Sequence, residues 1–258
     1  MAYAGLLLEG RSAVVIGGTS GIGKHIALGF AQAGANVAPS SRRQTEVSAT
    51  ADAIEALGRK SLRQVSDVTD RASLEALLAA AVAAFGQVDI LVACQGRHQR
   101  KPTLDVTEEE YAAVMETNLT GTFRACQVFG RHMLERGSGR IITIASLTST
   151  LGFHEVTAYG TSKAGVAGLT RQLAVEWGPR GVLVNAIAPG VFVTPLNRSV
   201  VHGTPRGQEL LLRTPLRRFG ELEELVGPAI FLASPAASFV NGQILGVDGG
   251  FLASGVNQ

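Results

Sequence analysis

Tyr159 and Lys163 stand four residues apart in Tyr159-Gly160-Thr161-Ser162-Lys163, inside a run with a helical pattern. That spacing puts the phenol and the ammonium on one helix face. A free tyrosine titrates near ~10, too high for a good base at neutral pH. An adjacent ammonium favours the phenolate and lowers that value, which suits the pair to proton transfer at an oxygen. The spacing alone recurs by chance, and two neighbours give it weight. Ser146 ends the β-type run Arg140–Ala145. Ligands of parallel sheets bind at the carboxyl ends of strands, so this hydroxyl stands where a carbonyl would sit. Asn118, in Asn118-Leu119-Thr120-Gly121, puts a poor helix former inside a helical stretch. It either serves the same site or marks a polar kink held by a water.

A second group of residues has nucleotide chemistry. Gly17-Gly18-Thr19-Ser20-Gly21-Ile22-Gly23 follows the first apolar run and opens a helical one. A pyrophosphate needs backbone N–H groups at a helix N-terminus and no side chains in its way. A tight turn is the bland alternative, but the place after a first strand favours a dinucleotide. Folds that prefer NAD usually carry an acid roughly 20 residues past the glycines. Here Ser40-Ser41-Arg42-Arg43 offers hydroxyls and guanidiniums and no acid. Ser41, Arg42 and Arg43 would suit a 2′-phosphate, which predicts NADP(H) rather than NAD(H). The alternative is a solvated basic loop.

The elements that must position these residues alternate. Strands are expected at Ala13–Ile16, Asn36–Pro39, Ser61–Val65, Val88–Ala93, Arg140–Ala145, Val182–Ile187 and Gln243–Val247. Helices are expected at Gly21–Ala33, Thr45–Leu57, Ser73–Phe85, Glu108 to about Leu134, and Val156–Trp177. Near-continuous apolar strands alternating with helices imply an α/β doubly wound, Rossmann-type parallel sheet with helices on both faces. No repeat or low-complexity linker divides residues 1–258, so a single domain is expected. Thr194–Arg218, rich in Pro, Gly and Arg, reads as a substrate lid over the ligand.

Composition narrows the classes. With 46% apolar and 17% charged residues the chain can bury a large core. Its 23 basic and 21 acidic residues leave a net charge of +2, which gives no electrostatic case for nucleic acid. Cys94 and Cys126 form no CxxC, and the five histidines show no HxxxH spacing, so neither a disulfide framework nor a metal site is expected. No apolar run approaches membrane-spanning length, and no leader is seen. A cytoplasmic protein is expected.

In order and spacing the chain resembles the short-chain dehydrogenase/reductase family over essentially its whole length. The resemblance rests on the glycine loop, Asp67-Val68, Asn118, Ser146, Tyr159, Lys163, Pro189-Gly190 with Thr194, and Val247-Asp248-Gly249-Gly250. It implies that Tyr159 exchanges the proton, Ser146 bonds the same oxygen, and Lys163 binds the nicotinamide ribose. It also implies that Asn118 holds a water leading from Lys163 to solvent. Asp67 would receive the adenine amino group beside the Val68 backbone. Gly96, Pro189, Gly190, Phe192 and Thr194 would line the cofactor, with Thr194 and the backbone around Val191–Phe192 orienting the carboxamide. The family's usual Asn-Asn-Ala-Gly is replaced by Ala93-Cys94-Gln95-Gly96, which puts the adenine-ribose contact in doubt. Ile16 replaces a usual threonine.

For the substrate, the basic loop Arg97-His98-Gln99-Arg100-Lys101 suggests an anion, with a solvated loop as the alternative. His98, His154 and Arg198 are the candidate contacts. The tail from Arg213-Thr214-Pro215-Leu216 to Val240-Asn241-Gly242 resembles sugar-acid oxidoreductases of the gluconate 5-dehydrogenase type and 3-oxoacyl-(acyl-carrier-protein) reductases. The first is preferred, so a small-molecule ketone or alcohol is the expected partner. A non-catalytic NADP-binding regulator is the reading from another class. Small residues on Val156–Trp177, together with the resemblance, imply a homotetramer or homodimer.

Overall fold

Strands without a polar face must be covered on both sides, and in the computed structural model they are. The structure describes residues 4–194 and 197–255. Strands β1 (Ser12–Ile16), β2 (Asn36–Ser40), β3 (Ile90–Ala93), β4 (Gly139–Ile144), β5 (Val182–Pro189) and β6 (Ile244–Val247) form one sheet. Their order is β2-β1-β3-β4-β5-β6, and every pair is parallel. The chain moves outward from β1 to β2, then returns to place β3 on the other side of β1. The crevice at this switch point is where open α/β sheets bind ligands.

The helices are α1 (Gly21–Gln32), α2 (Gln44–Ala56), α3 (Arg71–Phe85), α4 (Glu108–Met115), α5 (Gly121–Arg136), α6 (Thr157–Trp177), α7 (Arg198–Val201), α8 (Pro205–Arg213) and α9 (Val226–Ala233). Successive strand residues face opposite sides. Ala13, Val15 and Val37 meet Ile26 and Phe30 of α1 and Leu232 of α9 in one core. Val14, Ile16 and Leu91 meet Leu77 of α3, Phe129 of α5 and Trp177 of α6 in the other. Two glycines let α6 come close to its neighbours. A Cβ on Gly130 would lie 2.7 Å from the Trp177 ring, and one on Gly165 would lie 2.7 Å from Leu119.

Two expectations, the strand at Ser61–Val65 and the unbroken helix from Glu108, are modified. Ser61–Val65 does not form a strand, and only Ser61 bridges, to Val37. Its polar residues face a sheet edge, where Ser61 Oγ donates to Val37 O at 2.8 Å and Ser40 Oγ donates to Gln64 O at 2.7 Å. The stretch from Glu108 continues to Arg136 but is interrupted by a π turn at Glu116–Thr120. Within the expected lid, α7 and α8 form, while Pro195 and Leu196 lie outside the described residues.

Candidate active site

The first wall of the site is the β1–α1 loop. Gly17 has a left-handed backbone (φ 74°), and a Cβ there would lie 2.8 Å from Gln95 N. At Gly23 a Cβ would come within 2.2 Å of Gly17 O. Both positions therefore exclude side chains, and the loop lies flat over the end of β1. Ser20, the N-cap of α1, makes no side-chain cap bond. The first amides of α1 are thus left without that partner, as an anion at a helix N-terminus requires. These residues fit a dinucleotide pyrophosphate.

A cleft of about 480 Å³ runs from this loop. Gly17, Thr19, Ser20, Gly21, Ile22 and Gly23 form one side of it, and Ser41, Arg42 and Arg43 close one end. Gly96, Tyr159, Lys163 and Thr194 form the other end. The two arginines at the closed end are not equivalent. Arg43 is ion-paired with Glu46, a cleft residue that belongs to no motif. Arg42 is exposed and has no carboxylate partner among the described residues. Thr19 Oγ1 donates to Ser41 Oγ at 2.9 Å and fixes that hydroxyl. Asp67 and Val68 stand next to the cleft rather than in its walls, with Ser66 N donating to Ser41 O at 3.0 Å. Burial alone would raise the Asp67 carboxyl. Hydrogen bonds from Thr69, with Arg42 and Arg124 nearby, hold it below its ordinary value.

The cleft opens into a cavity of about 200 Å³ at the ends of β4 and β5. Ile22, Ile144, Tyr159 and Thr194 line both spaces, so the two are continuous. Ser146, Pro189, Gly190, Phe192 and His98 line the cavity. Gly190 is pressed on Asp248, where a Cβ would approach the Asp248 Cα to 2.6 Å. Asn197, another residue not singled out in the sequence, pins Thr194. Its Oδ1 accepts from Thr194 N at 2.8 Å, and its Nδ2 donates to Phe192 O at 2.8 Å.

The four polar residues converge. Ser146 begins the turn after β4, and its Oγ accepts from Thr148 N at 3.2 Å. Burial raises the Tyr159 phenol above its usual value, only partly offset by the Ser146 hydrogen bond. Lys163 lies on the same face of α6, with Nζ 5.8 Å from the Tyr159 ring centroid. Its Nζ donates to Ile144 O at 2.7 Å, and burial pushes its titration down to about 8. The expected lowering of the phenol is therefore not found. The Lys163 Nζ lies toward the ring rather than at the phenol oxygen, and desolvation decides the direction. The phenol is protonated at neutral pH, the form a proton donor needs.

Asn118 sits in the π turn and is fully buried. Its Oδ1 accepts from Arg97 N at 2.7 Å, while Nδ2 donates to Arg97 O at 2.9 Å and to Ser162 Oγ at 3.0 Å. Ser162 Oγ in turn donates to Tyr159 O at 2.7 Å. The amide thus ties the loop after β3 to α6. Both of its N–H groups are used by the protein, although it also faces the space beside Gly96 that Lys163 Nζ faces. A Cβ on Gly96 would lie 3.8 Å from Asn118 Oδ1 and 4.0 Å from Lys163 Nζ. In the altered segment after β3, Gln95 Nε2 donates to Thr122 Oγ1 at 2.8 Å, which donates to Asn118 O at 2.7 Å. Gln95 therefore supports the π turn.

The candidate substrate contacts separate. His98 packs against Tyr159 with its ring tilted by 50° and the centroids 4.9 Å apart. Burial, then Arg206 and Arg100, keep its imidazole below the usual titration and so neutral. The His154 side chain is 82% exposed. It lines a neighbouring hollow instead of the cavity, beside the left-handed turn at Glu155 (φ 63°). Arg198 is exposed and is not a wall of the cavity. Arg206 of α8 is a wall, though its sequence gave no signal beyond a cation in the expected lid.

Comparison with known proteins agrees with this arrangement. A family model described as Enoyl-(Acyl carrier protein) reductase matches residues 17–252. The chain is 39% identical over 254 residues to the 2-dehydro-3-deoxy-D-gluconate 5-dehydrogenase of Escherichia coli (strain K12), covering 98% of this chain and 100% of that protein. It is 38% identical over 247 residues to the gluconate 5-dehydrogenase of Gluconobacter oxydans (strain 621H), with 96% of each covered. The crystal structure of a gluconate 5-dehydrogenase from Burkholderia cenocepacia J2315, in complex with NADP and tartrate, superposes with a TM-score of 0.95 at 37% identity, covering 99% of this chain and 100% of that one. With a parallel doubly wound sheet, a glycine-walled cleft and Ser146, Tyr159 and Lys163 at its mouth, the chain belongs to the short-chain dehydrogenase/reductase family.

Proposed function

We propose that this protein interconverts a ketone and a secondary alcohol on a small sugar acid of the gluconate type, with NADP(H) as its cofactor. The observation that carries the reading is the junction of cleft and cavity at Tyr159, with Ser146 on the cavity side and Lys163 on the cleft side. The cofactor, when bound, supplies or removes the hydride. Ser146 Oγ holds the substrate oxygen. In reduction Tyr159 gives its proton to that oxygen and is left as the phenolate, and in oxidation it is this phenolate that takes the proton from the alcohol. Lys163 binds the ribose end of the cleft and keeps positive charge beside the phenol. Asn118 holds Arg97 and Ser162, and through them the loop and helix that carry the chemistry.

Support for NADP(H) comes from Arg42, which has no ion pair among the described residues, and from the NADP complex of the Burkholderia relative. Support for a hydroxy acid comes from the relatives' activities and from the tartrate held by that same relative. Residues 194–218 act as the substrate lid of a single-domain enzyme. Val175 and Phe123, 78% and 41% exposed on α6 and α5, support assembly into a homodimer or homotetramer. Two free thiols suit the cytoplasm. NADPH oxidation is to be followed with 5-keto-D-gluconate, 2-dehydro-3-deoxy-gluconate-type acids and acetoacetyl thioesters. Turnover of the acids is expected. Turnover of thioesters alone would replace this reading with an acyl-carrier reductase.

A further inference from the structure

The walls of the substrate cavity are mostly apolar, including Leu147, Phe153, Val156 and Leu210. A hydroxylated acid must therefore be recognised by few polar groups. Beyond Ser146, Tyr159 and His98, two stand out. Thr148 lines the cavity but is 8% exposed, and its Oγ1, sealed from solvent, has no hydrogen-bond partner among the described residues, so a turn about its χ1 is what presents the hydroxyl to a ligand. It occupies the same short turn as Ser146, whose Oγ accepts from its backbone N. A buried hydroxyl without a partner is rare in proteins and signals a group that a ligand completes.

The second is Arg206. The other cations near the cavity are already paired: Arg100 with Glu155 at 2.8 Å and Lys101 with Glu110 at 2.9 Å. Arg206 has no carboxylate partner among the described residues, and only Nη1 is used, donating to His154 O at 3.1 Å. Burial and the nearby charge of Arg100 work against its charged form, and the carboxylates of Glu155 and Glu209 offset this only in part. It also lies in the first turn of α8, where the helix dipole disfavours a cation. A half-buried guanidinium with free donors over a reactive cavity is suited to a bidentate carboxylate. Its neighbour His98 stays neutral and so does not take that role.

We propose that Arg206 binds the carboxylate of the substrate and that Thr148 Oγ1 hydrogen-bonds a substrate hydroxyl near the reacting carbon. The inference rests on the sugar-acid reading. It makes α8 the element that reads the acid.

The test compares 5-keto-D-gluconate with L-sorbose, which has the same skeleton with CH2OH in place of the carboxylate. Wild type, Arg206→Leu, Arg206→Lys and Thr148→Val are assayed at saturating NADPH, with melting temperatures confirming the fold. Arg206→Leu is expected to lower the acid-to-sorbose ratio of kcat/KM by about 10- to 100-fold, mostly through KM, as loss of one charge-assisted bond requires. Arg206→Lys is expected to restore part of the ratio. Thr148→Val is expected to lower kcat/KM for both substrates and leave their ratio unchanged. An unchanged ratio in Arg206→Leu overturns the carboxylate assignment, and an unchanged kcat/KM in Thr148→Val overturns the hydroxyl contact. Calorimetric binding of tartrate in the presence of NADP+ separates the two levels of the argument. Tartrate that binds wild type and weakens tenfold or more in Arg206→Leu upholds the anion site even if no sugar acid is turned over, in which case the substrate class alone fails. Equal or absent tartrate binding in both proteins overturns the site.

Discussion

Of the two adjacent arginines at the end of the cleft, Arg42 is expected to carry more of the preference for NADP(H) than Arg43. Arg43 is held by Glu46, and Arg42 is exposed at the end of the cleft with no ion pair among the described residues. A charge-assisted hydrogen bond contributes about 1.5–3 kcal/mol. For an exposed group the lower part of that range applies because water and salt screen it. Arg42→Ala should therefore cost about 1–2 kcal/mol toward NADP(H), or roughly 5- to 30-fold in the NADPH/NADH ratio of kcat/KM. Arg43→Ala acts differently. Its surface ion pair is worth ~0–1 kcal/mol, but its loss uncovers the Glu46 carboxylate in the cleft wall. That carboxylate would repel a 2′-phosphate and accept from a ribose hydroxyl, so the ratio should again move toward NADH. Adding Glu46→Gln to Arg43→Ala should recover most of the lost ratio, whereas adding it to Arg42→Ala should not. Steady-state kinetics with both cofactors at low and moderate salt provides the numbers, and the effect of Arg42 should shrink as salt rises. An unchanged ratio in Arg42→Ala, or no rescue by Glu46→Gln, would refute this division of roles.

Three other outcomes are expected. Tyr159→Phe should abolish turnover while NADPH binding, followed by fluorescence, changes less than about threefold; substantial residual activity would remove the phenol from the mechanism. Asn118→Ala should destabilise the fold by about 2–4 kcal/mol in urea unfolding, because it leaves the Arg97 N–H and C=O without their amide partner and removes the bond that Ser162 Oγ accepts, and kcat should fall with it. Lys163 titrates at about 8 in the fold against 10.5 ordinarily, so between those values the folded protein holds fewer protons than the unfolded chain. Its contribution to stability therefore rises with pH through that window, and any stability advantage of Lys163→Met at pH ~7.5 should narrow by about 2 kcal/mol at pH ~9.5, with a constant difference contradicting the buried charge.

How far the sequence could be read depended on the distance over which each signal acts. The sheet was legible because apolar runs such as Ala13–Ile16 and Arg140–Ala145 can be buried only one way, and the glycine loop because backbone crowding at Gly17 and Gly23 is a local demand. Ser61–Val65 was not, because an edge segment with polar side chains can satisfy its backbone through Ser40 and Ser61 without joining the ladder. Asn118 was noticed as an ill-suited helix residue, but the π turn that gives it a purpose depends on Arg97, 21 positions away. The same limit explains Tyr159. Its four-residue spacing from Lys163 predicted a depressed phenol, but a titration depends on depth as well as neighbours, and the closing of α6 over β4 and β5 decides that depth. Arg206 and Thr148 lie further still from any motif. One is a cation among several in an irregular segment, the other a threonine in a turn, and only folding sets both in the wall of the same cavity, Arg206 with no carboxylate partner and Thr148 Oγ1 with no hydrogen bond among the described residues. The proton chemistry of this site is thus written in short spacings. Its choice of substrate is written in groups that the fold brings together and leaves unsatisfied, so in this protein specificity must be sought among incomplete hydrogen bonds rather than among motifs.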